Sequence, residues 1–316
     1  MRFPYLLQYC MRTPWAMEPS AMATYAAILA RAYALRGDAG GAGPDAAVTR
    51  VPMSATPGRG GTPAGGAIAV IPVRGAIVQR ASQLGPCEGG AGAQEIGAAL
   101  DAAMADPAVG QVLMTFDTPG GSVFGIEELG DHIRASRARK PIVGVADSVA
   151  ASAGFWLLAQ CSEVYVTPGG AVGSIGVYGA HEYIGNALSA AGVEITLISA
   201  GKYKVEGNPF EPLGAEARQE IQAQVDAYAG KFHQAIARGR GLPVARVRSG
   251  MGEGRMVMAD AAVRAGMADG VKSFDEVLAH MRRSGSTSRP AQARAPGNDR
   301  AAAQAHAQAL LQSLML

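Results

Sequence analysis

Cysteine is scarce in this chain of 316 residues: only Cys10, Cys87 and Cys161 occur, an odd number with no CxxC pair. A disulfide framework and a zinc finger are both excluded as organising devices, and a reducing compartment is expected. Histidine is scarcer for its length, five residues without ligand spacing, so no metal and no cofactor are expected. An excess of charge is also missing. The net charge of +2 argues against nucleic acid or an anionic membrane surface as a partner. Long apolar runs are absent too, since none reaches the roughly 18 residues of a spanning helix. The richest stretch, VAASAGFWLLA, is short and follows Asp147. The opening MRFPYLLQYCMRTPW carries prolines at 4 and 14 and no long apolar core, which makes it a poor secretion signal. A cytoplasmic protein is expected.

What is present suits a folded chain, with 48% hydrophobic and 17% charged residues. Residues 20–35, SAMATYAAILARAYAL, read as a short helix, with Met22, Tyr25, Ala26, Leu29 and Tyr33 near one face. Residues 37–66 are a Gly/Pro-rich linker that lacks the composition for a core. Apolar segments and turn signals alternate densely from Ala67 onward. The end is linker-like again before a helical pattern, RAAAQAHAQALLQSLML. The expected organisation is an arm over 1–36, a linker over 37–66, a core domain over 67–283 and a flexible tail over 284–316.

The core has a strand–helix rhythm. AIAVIPVRGAIV (67–78) alternates and is β-branched, which predicts one or two strands. AQEIGAALDAAMAD (93–106) has helical spacing, GQVLMTFD (110–117) reads as a buried strand, GIEELGDHIRASRA (125–138) as a helix and PIVGVAD (141–147) as the next strand. Short apolar strands alternating with helices imply an α/β fold with parallel strands. Ligands of such sheets gather at the carboxyl ends of strands. Both TPGG (118–121) and the stretch from Ser148 to Ser152 fall there.

These two loops have complementary chemistry. In DSVAASAGFW a single serine, Ser152, stands among residues small enough for a substrate backbone to reach it. An exposed Gly-Gly can turn a backbone N–H toward a ligand because no Cβ blocks positive φ. A second N–H just after a nucleophile would complete an oxyanion hole, worth roughly 3 kcal/mol per donor. PGG on its own is an ordinary turn. Phosphate loops of the GxGxxG kind have no match. A serine needs a base, and a β-branched strand in LISAGKYKVEGNPF (197–210) runs into Lys202 and Lys204. A lysine serves as a base only when burial or dipoles lower its pKa from about 10.4 toward neutrality.

Taken in order, DTPGGS (117–122), VAASAGFW (149–156), AVGSIGVYGAHEYIGNAL (171–188), GVEITLISAGKYKVEGNPF (192–210) and RMVMADAAVRAGMADGV (255–271) form a set far more specific than any one motif. This set resembles the signal peptide peptidase A family of serine peptidases, and within it the head maturation proteases of lambda-type phages. The arm TPWAMEPSAMATYAAILARAYA also matches the phage members. The resemblance spans roughly residues 68–271.

It implies a ClpP/crotonase-like α/β fold of stacked ββα units with flexible arms, and a serine–lysine dyad. By resemblance Ser152 is the nucleophile, Lys204 the general base, Gly121 and Ala153 the oxyanion-hole amides, and Ser174 the residue orienting the lysine. Lys202 receives no role, because the family varies there. The implied substrates are capsid, scaffold or portal proteins, cleaved within an assembling procapsid in the host cytoplasm by a homo-oligomer. The segment 215–241 reads as a helix with Ile221, Val225, Tyr228, Phe232 and Ile236 along one side, and the family uses this region for subunit packing. Three alternatives remain: a bacterial signal-peptide-peptidase-like enzyme without its membrane anchor, a crotonase-type acyl-CoA enzyme, and a non-catalytic assembly protein. The acyl-CoA enzyme would need acidic bases and a basic phosphate contact, and a dead assembly protein has no reason to keep both dyad residues.

Overall fold

The structure is a computed structural model that describes residues 14–17, 49–52, 66–81 and 90–287. The helix read at 20–35 and the tail beyond 287 lie outside these residues. β-Branched alternation builds the first long strand, β3 (Ala67–Arg74), after two short ones, β1 (Trp15–Met17) and β2 (Thr49–Pro52). Then follow β4 (Ala76–Val78), β5 (Gly90–Gly92), α1 (Ala93–Ala105), β6 (Val109–Thr118), β7 (Gly120–Ser122), α2 (Ile126–Ser136) and β8 (Ile142–Ala151). The second half holds α3 (Ala153–Leu158), β9 (Glu163–Val166), β10 (Ala171–Gly173), α4 (Gly185–Ala190), α5 (Ala215–Arg240), α6 (Val244–Gly250), β11 (Met256–Met258), α7 (Ala259–Ala265), β12 (Gly270–Val271) and α8 (Phe274–Thr287).

The larger sheet runs β11-β10-β8-β6-β3-β2, with β10, β8, β6 and β3 parallel to one another and the end strands β11 and β2 antiparallel to their neighbours. β8 pairs with β6 along one edge. Its other edge carries β9 beside its first half and β10 beside its second. Alternation along the strands separates two cores. Ala69, Ile71, Val112, Met114 and Ile142 face α1, α2 and α3, while Ile68, Leu113, Val143 and Val145 face Val277 and Met281 of α8. A smaller sheet, β1-β7-β4-β5, stands at the carboxyl end of β6.

Two features differ from the sequence reading. Residues 49–52, inside the stretch read as linker, pair antiparallel with Ala67–Val70 as β2, because the short β-branched run TRV finds an open sheet edge. The β-branched segment 193–200 forms no strand and is exposed throughout. Among the described residues no neighbouring strand takes up its backbone groups.

Candidate active site

β8 delivers Ser152. The strand ends at Ala151 and α3 begins at Ala153, so the serine stands alone on the strand-to-helix turn. Its backbone has φ 52° and ψ −117°, a conformation that costs an L residue about 1–3 kcal/mol. Two hydrogen bonds hold it there. The Ser152 N–H donates to the Gly173 carbonyl at 2.7 Å, and its carbonyl accepts from the Trp156 N–H at 2.9 Å. The N–H of Ala153 has no partner within the helix, because the first amides of a helix point out of its start. The serine itself is buried, 0% exposed.

β6 delivers the facing loop. Thr118, at the strand's end, donates its hydroxyl to the Gly75 carbonyl at 2.6 Å and accepts the Gly120 N–H at 3.1 Å. That double anchor sets the Gly-Gly turn. Gly120 has φ 98°, and a Cβ there would stand 2.9 Å from the Cβ of Ser152, so the loop abuts the serine. A Cβ on Gly121 would collide with the Ile77 carbonyl, and one on Gly154 with the Thr118 methyl. The small residues around Ser152 are therefore required by packing as well as by access.

β10 supplies the third wall. Beyond Gly173 comes Ser174, buried, with φ 51° and its N–H on the Arg255 carbonyl at 2.9 Å. Two residues on, the Gly176 carbonyl accepts a long hydrogen bond, 3.5 Å, from Ser152 Oγ. The structure thus gathers Ser152, Ala153, the Gly120–Gly121 loop and Ser174 around one point. Lys204 is not among them. It is exposed on the 201–207 turn, its N–H on the Gly201 carbonyl at 3.2 Å, and no hydrogen bond joins it to Ser152 among the described residues. The burial expected of a lysine following a strand fails because that strand is not formed. Lys202 is tied up instead: its ammonium donates to Tyr203 Oη at 2.6 Å and to Glu216 Oε1 at 3.3 Å. These bonds, Tyr203's first, raise its pKa above the ordinary lysine value, opposite to what a base requires.

Sequence reasoning missed Thr118 as the residue that sets the loop, although it lies inside the DTPGGS motif. It also missed Tyr178, whose backbone pairs with Trp15 across the cleft. A lone backbone pairing leaves no side-chain signature.

The profile of peptidase family S49 matches residues 134–287, the stretch that contains Ser152, Ser174 and Lys204. Residues 134–287 belong to peptidase family S49. It is 37% identical over 214 residues to the head-tail preconnector protein of Enterobacteria phage P21, covering 68% of this chain and 42% of that one. It is 38% identical over 215 residues to capsid assembly protease C of Escherichia phage lambda, covering 68% and 48%. Protease 4 of Salmonella typhi is 29% identical over 221 residues, 69% and 35%. The chain spans less than half the length of the two phage relatives. With the family comes the ClpP/crotonase-like fold, which the parallel sheet and its covering helices match. Among the described residues, no helix is long and apolar enough to cross a membrane. No cluster of three or more His, Cys, Asp or Glu side chains among them could hold a metal ion.

Proposed function

We propose that this chain is a serine endopeptidase acting on capsid, scaffold or portal proteins during phage head maturation, inside the assembling procapsid. The observation that carries this reading is Ser152, held in a strained turn at the end of β8 against the Gly120–Gly121 loop. Strained nucleophile turns of this kind serve to project a hydroxyl. The names of the two phage relatives, a capsid assembly protease and a head-tail preconnector protein, support this substrate class.

In this mechanism Ser152 Oγ attacks a peptide carbonyl while Lys204, neutral, takes its proton. The amides of Gly121 and Ala153 hold the oxyanion. Lys204 then protonates the leaving amine, and water repeats the cycle to free the acyl-enzyme. Ser174 orients the lysine. Because Lys204 is exposed and Ser152 is buried, the two meet between copies of the chain in this reading. The segment before the lysine supports it, since Val193, Ile195, Leu197 and Ile198 are all exposed, Ile198 at 95%. An exposed apolar run of this kind marks an interaction surface, and a homo-oligomer would cover it.

The test uses recombinant chain with capsid, scaffold and portal proteins as substrates. Ser152→Ala and Lys204→Ala should each abolish cleavage, and a mixture of the two inactive chains should recover part of it. Cleavage by either mutant alone would sink the dyad. Failure of the mixture would place both residues within one copy.

A further inference from the structure

The cleft beside Ser152 already holds a peptide strand, and it is the chain's own. Trp15–Met17 lies antiparallel to β7, with Trp15 opposite Ser122, Ala16 opposite Gly121 and Met17 opposite Gly120. On the other side, Trp15 exchanges both backbone hydrogen bonds with Tyr178, N–H to carbonyl at 2.9 Å and carbonyl from N–H at 3.0 Å. The segment is clamped between two backbones. Successive residues of a strand turn their N–H and C=O to opposite edges, so Pro14 and Ala16 face β7. The Pro14 carbonyl indeed accepts the Val123 N–H at 3.3 Å. The next carbonyl in that register, Ala16's, is directed at Gly121, the residue whose amide the proposed mechanism uses for the oxyanion. A Cβ built on Gly120 would collide with that same Ala16 oxygen and stand 2.9 Å from Ser152 Cβ. The Ala16 carbonyl therefore lies beside the serine. Trp15, Ala16 and Met17 are 4%, 0% and 3% exposed, and Ser152 and Ser122 beneath them are sealed at 0%.

We infer that residues 14–17 occupy this protein's substrate cleft in the register of a substrate, with the Ala16–Met17 peptide presented to Ser152, and that the cleft stays closed until this strand leaves. The inference rests on the peptidase reading for what the cleft is for. Recognition of this kind runs through the main chain, so the competing substrate is an extended segment. The side chain next to its scissile bond must be small, because the space around Ala16 is closed on every side. Beyond Pro14 the cleft opens into a cavity of about 440 Å³ bordered by His181, Glu182, Tyr203, Phe210 and Gln224, room for residues further upstream.

The experiment uses the full chain with Ser152→Ala, so that no hydrolysis intervenes. Hydrogen exchange is followed at the amides of residues 15–17 and 120–123. They should be protected in this chain and in its Ala16→Ser form, and exposed when Ala16→Arg forces the strand out. Added peptide RTPWAMEP should restore protection at 120–123 in the Ala16→Arg chain, and its Ala-to-Arg counterpart should not. Unlabelled Cys161 in the native state shows that each variant is folded. Free exchange in the unaltered arm overturns the inference, as does a displaced arm whose place the peptide cannot take. With Ser152 restored, Ala16→Arg should hydrolyse labelled unfolded casein severalfold faster than its parent. Equal rates overturn the closure. Absence of hydrolysis by either chain defeats the peptidase reading, while the exchange pattern still upholds the occupancy.

Discussion

The indole of Trp156 lies stacked on the ring of Phe232, centroids 4.7 Å apart and planes 17° from parallel. Trp156 is the fourth residue after Ser152, in α3, and Phe232 belongs to α5, so this pair fastens the long helix to the element that positions the serine. Both side chains are buried. Phe232→Ala leaves a ring-sized void and should cost about 3–5 kcal/mol, read by urea unfolding of the Ser152→Ala chain. A loss under about 1 kcal/mol would mean the void collapses and the stack carries little.

Strain at Ser152 makes a second prediction. Ser152→Ala and Ser152→Gly both remove the hydroxyl, but only glycine takes φ 52° without a Cβ penalty. The glycine variant should therefore be the more stable of the two, by about 1 kcal/mol or more, in paired thermal melts. Equal melting temperatures would show that the turn is relaxed.

Much of the fold was legible in the residues. The predicted elements at 93–106, 110–117 and 125–138 correspond to α1, β6 and α2 within a residue or two, because each has one clear period bounded by a turn signal. The helix read at 215–241 spans Ala215–Arg240. Its named side is buried at Phe232 and Ile236 and half-buried at Ile221, Val225 and Tyr228. The strand read to end at Asp147 runs on to Ala151, since small apolar residues carry no sign of where pairing stops. Ser152 stood out because a serine among alanines and glycines is locally odd, and the structure sets it on a strained strand-to-helix turn. The proposed partnership of Lys204 with Ser152 was not legible as geometry. A lysine after a β-branched run looks like the end of a strand, but a strand also needs a neighbour, and sequence period says nothing of that.

Asp269 predicts a pH dependence. Burial acts to raise its pKa, but the Arg240 guanidinium, at 2.6 and 3.1 Å, and the Val164 N–H, at 2.7 Å, outweigh it and hold the carboxyl below its ordinary value. A depressed pKa stabilises the fold above the unfolded carboxyl pKa of about 4, and that gain is lost as pH falls through the folded value. Asp269→Asn should thus lower the melting temperature by several degrees at pH 7, with the gap to wild type narrowing below about pH 4. A gap that does not change with pH would assign the loss to packing alone.

Cys161 is fully buried, and burial pushes its thiol pKa up to about 12. Thiol reagents react with the thiolate. At pH 8 the native chain should leave Cys161 unmodified by iodoacetamide, with full modification in urea, as read by peptide mass mapping. Rapid native labelling would show that the floor beneath Gly144, where its sulfur packs, opens readily.

β8 is an interior strand, paired along both edges, and Ser152 directly follows its last residue, Ala151. Interior strands open only near the global unfolding free energy, whereas exposed turns open at little cost. The two members of the proposed dyad therefore sit at opposite ends of the chain's range of local stability. On the proposed reading, warming should loosen the 201–207 turn and the apolar run before it while the sheet stays closed, so peptidase activity should fall below the temperature at which the sheet unfolds.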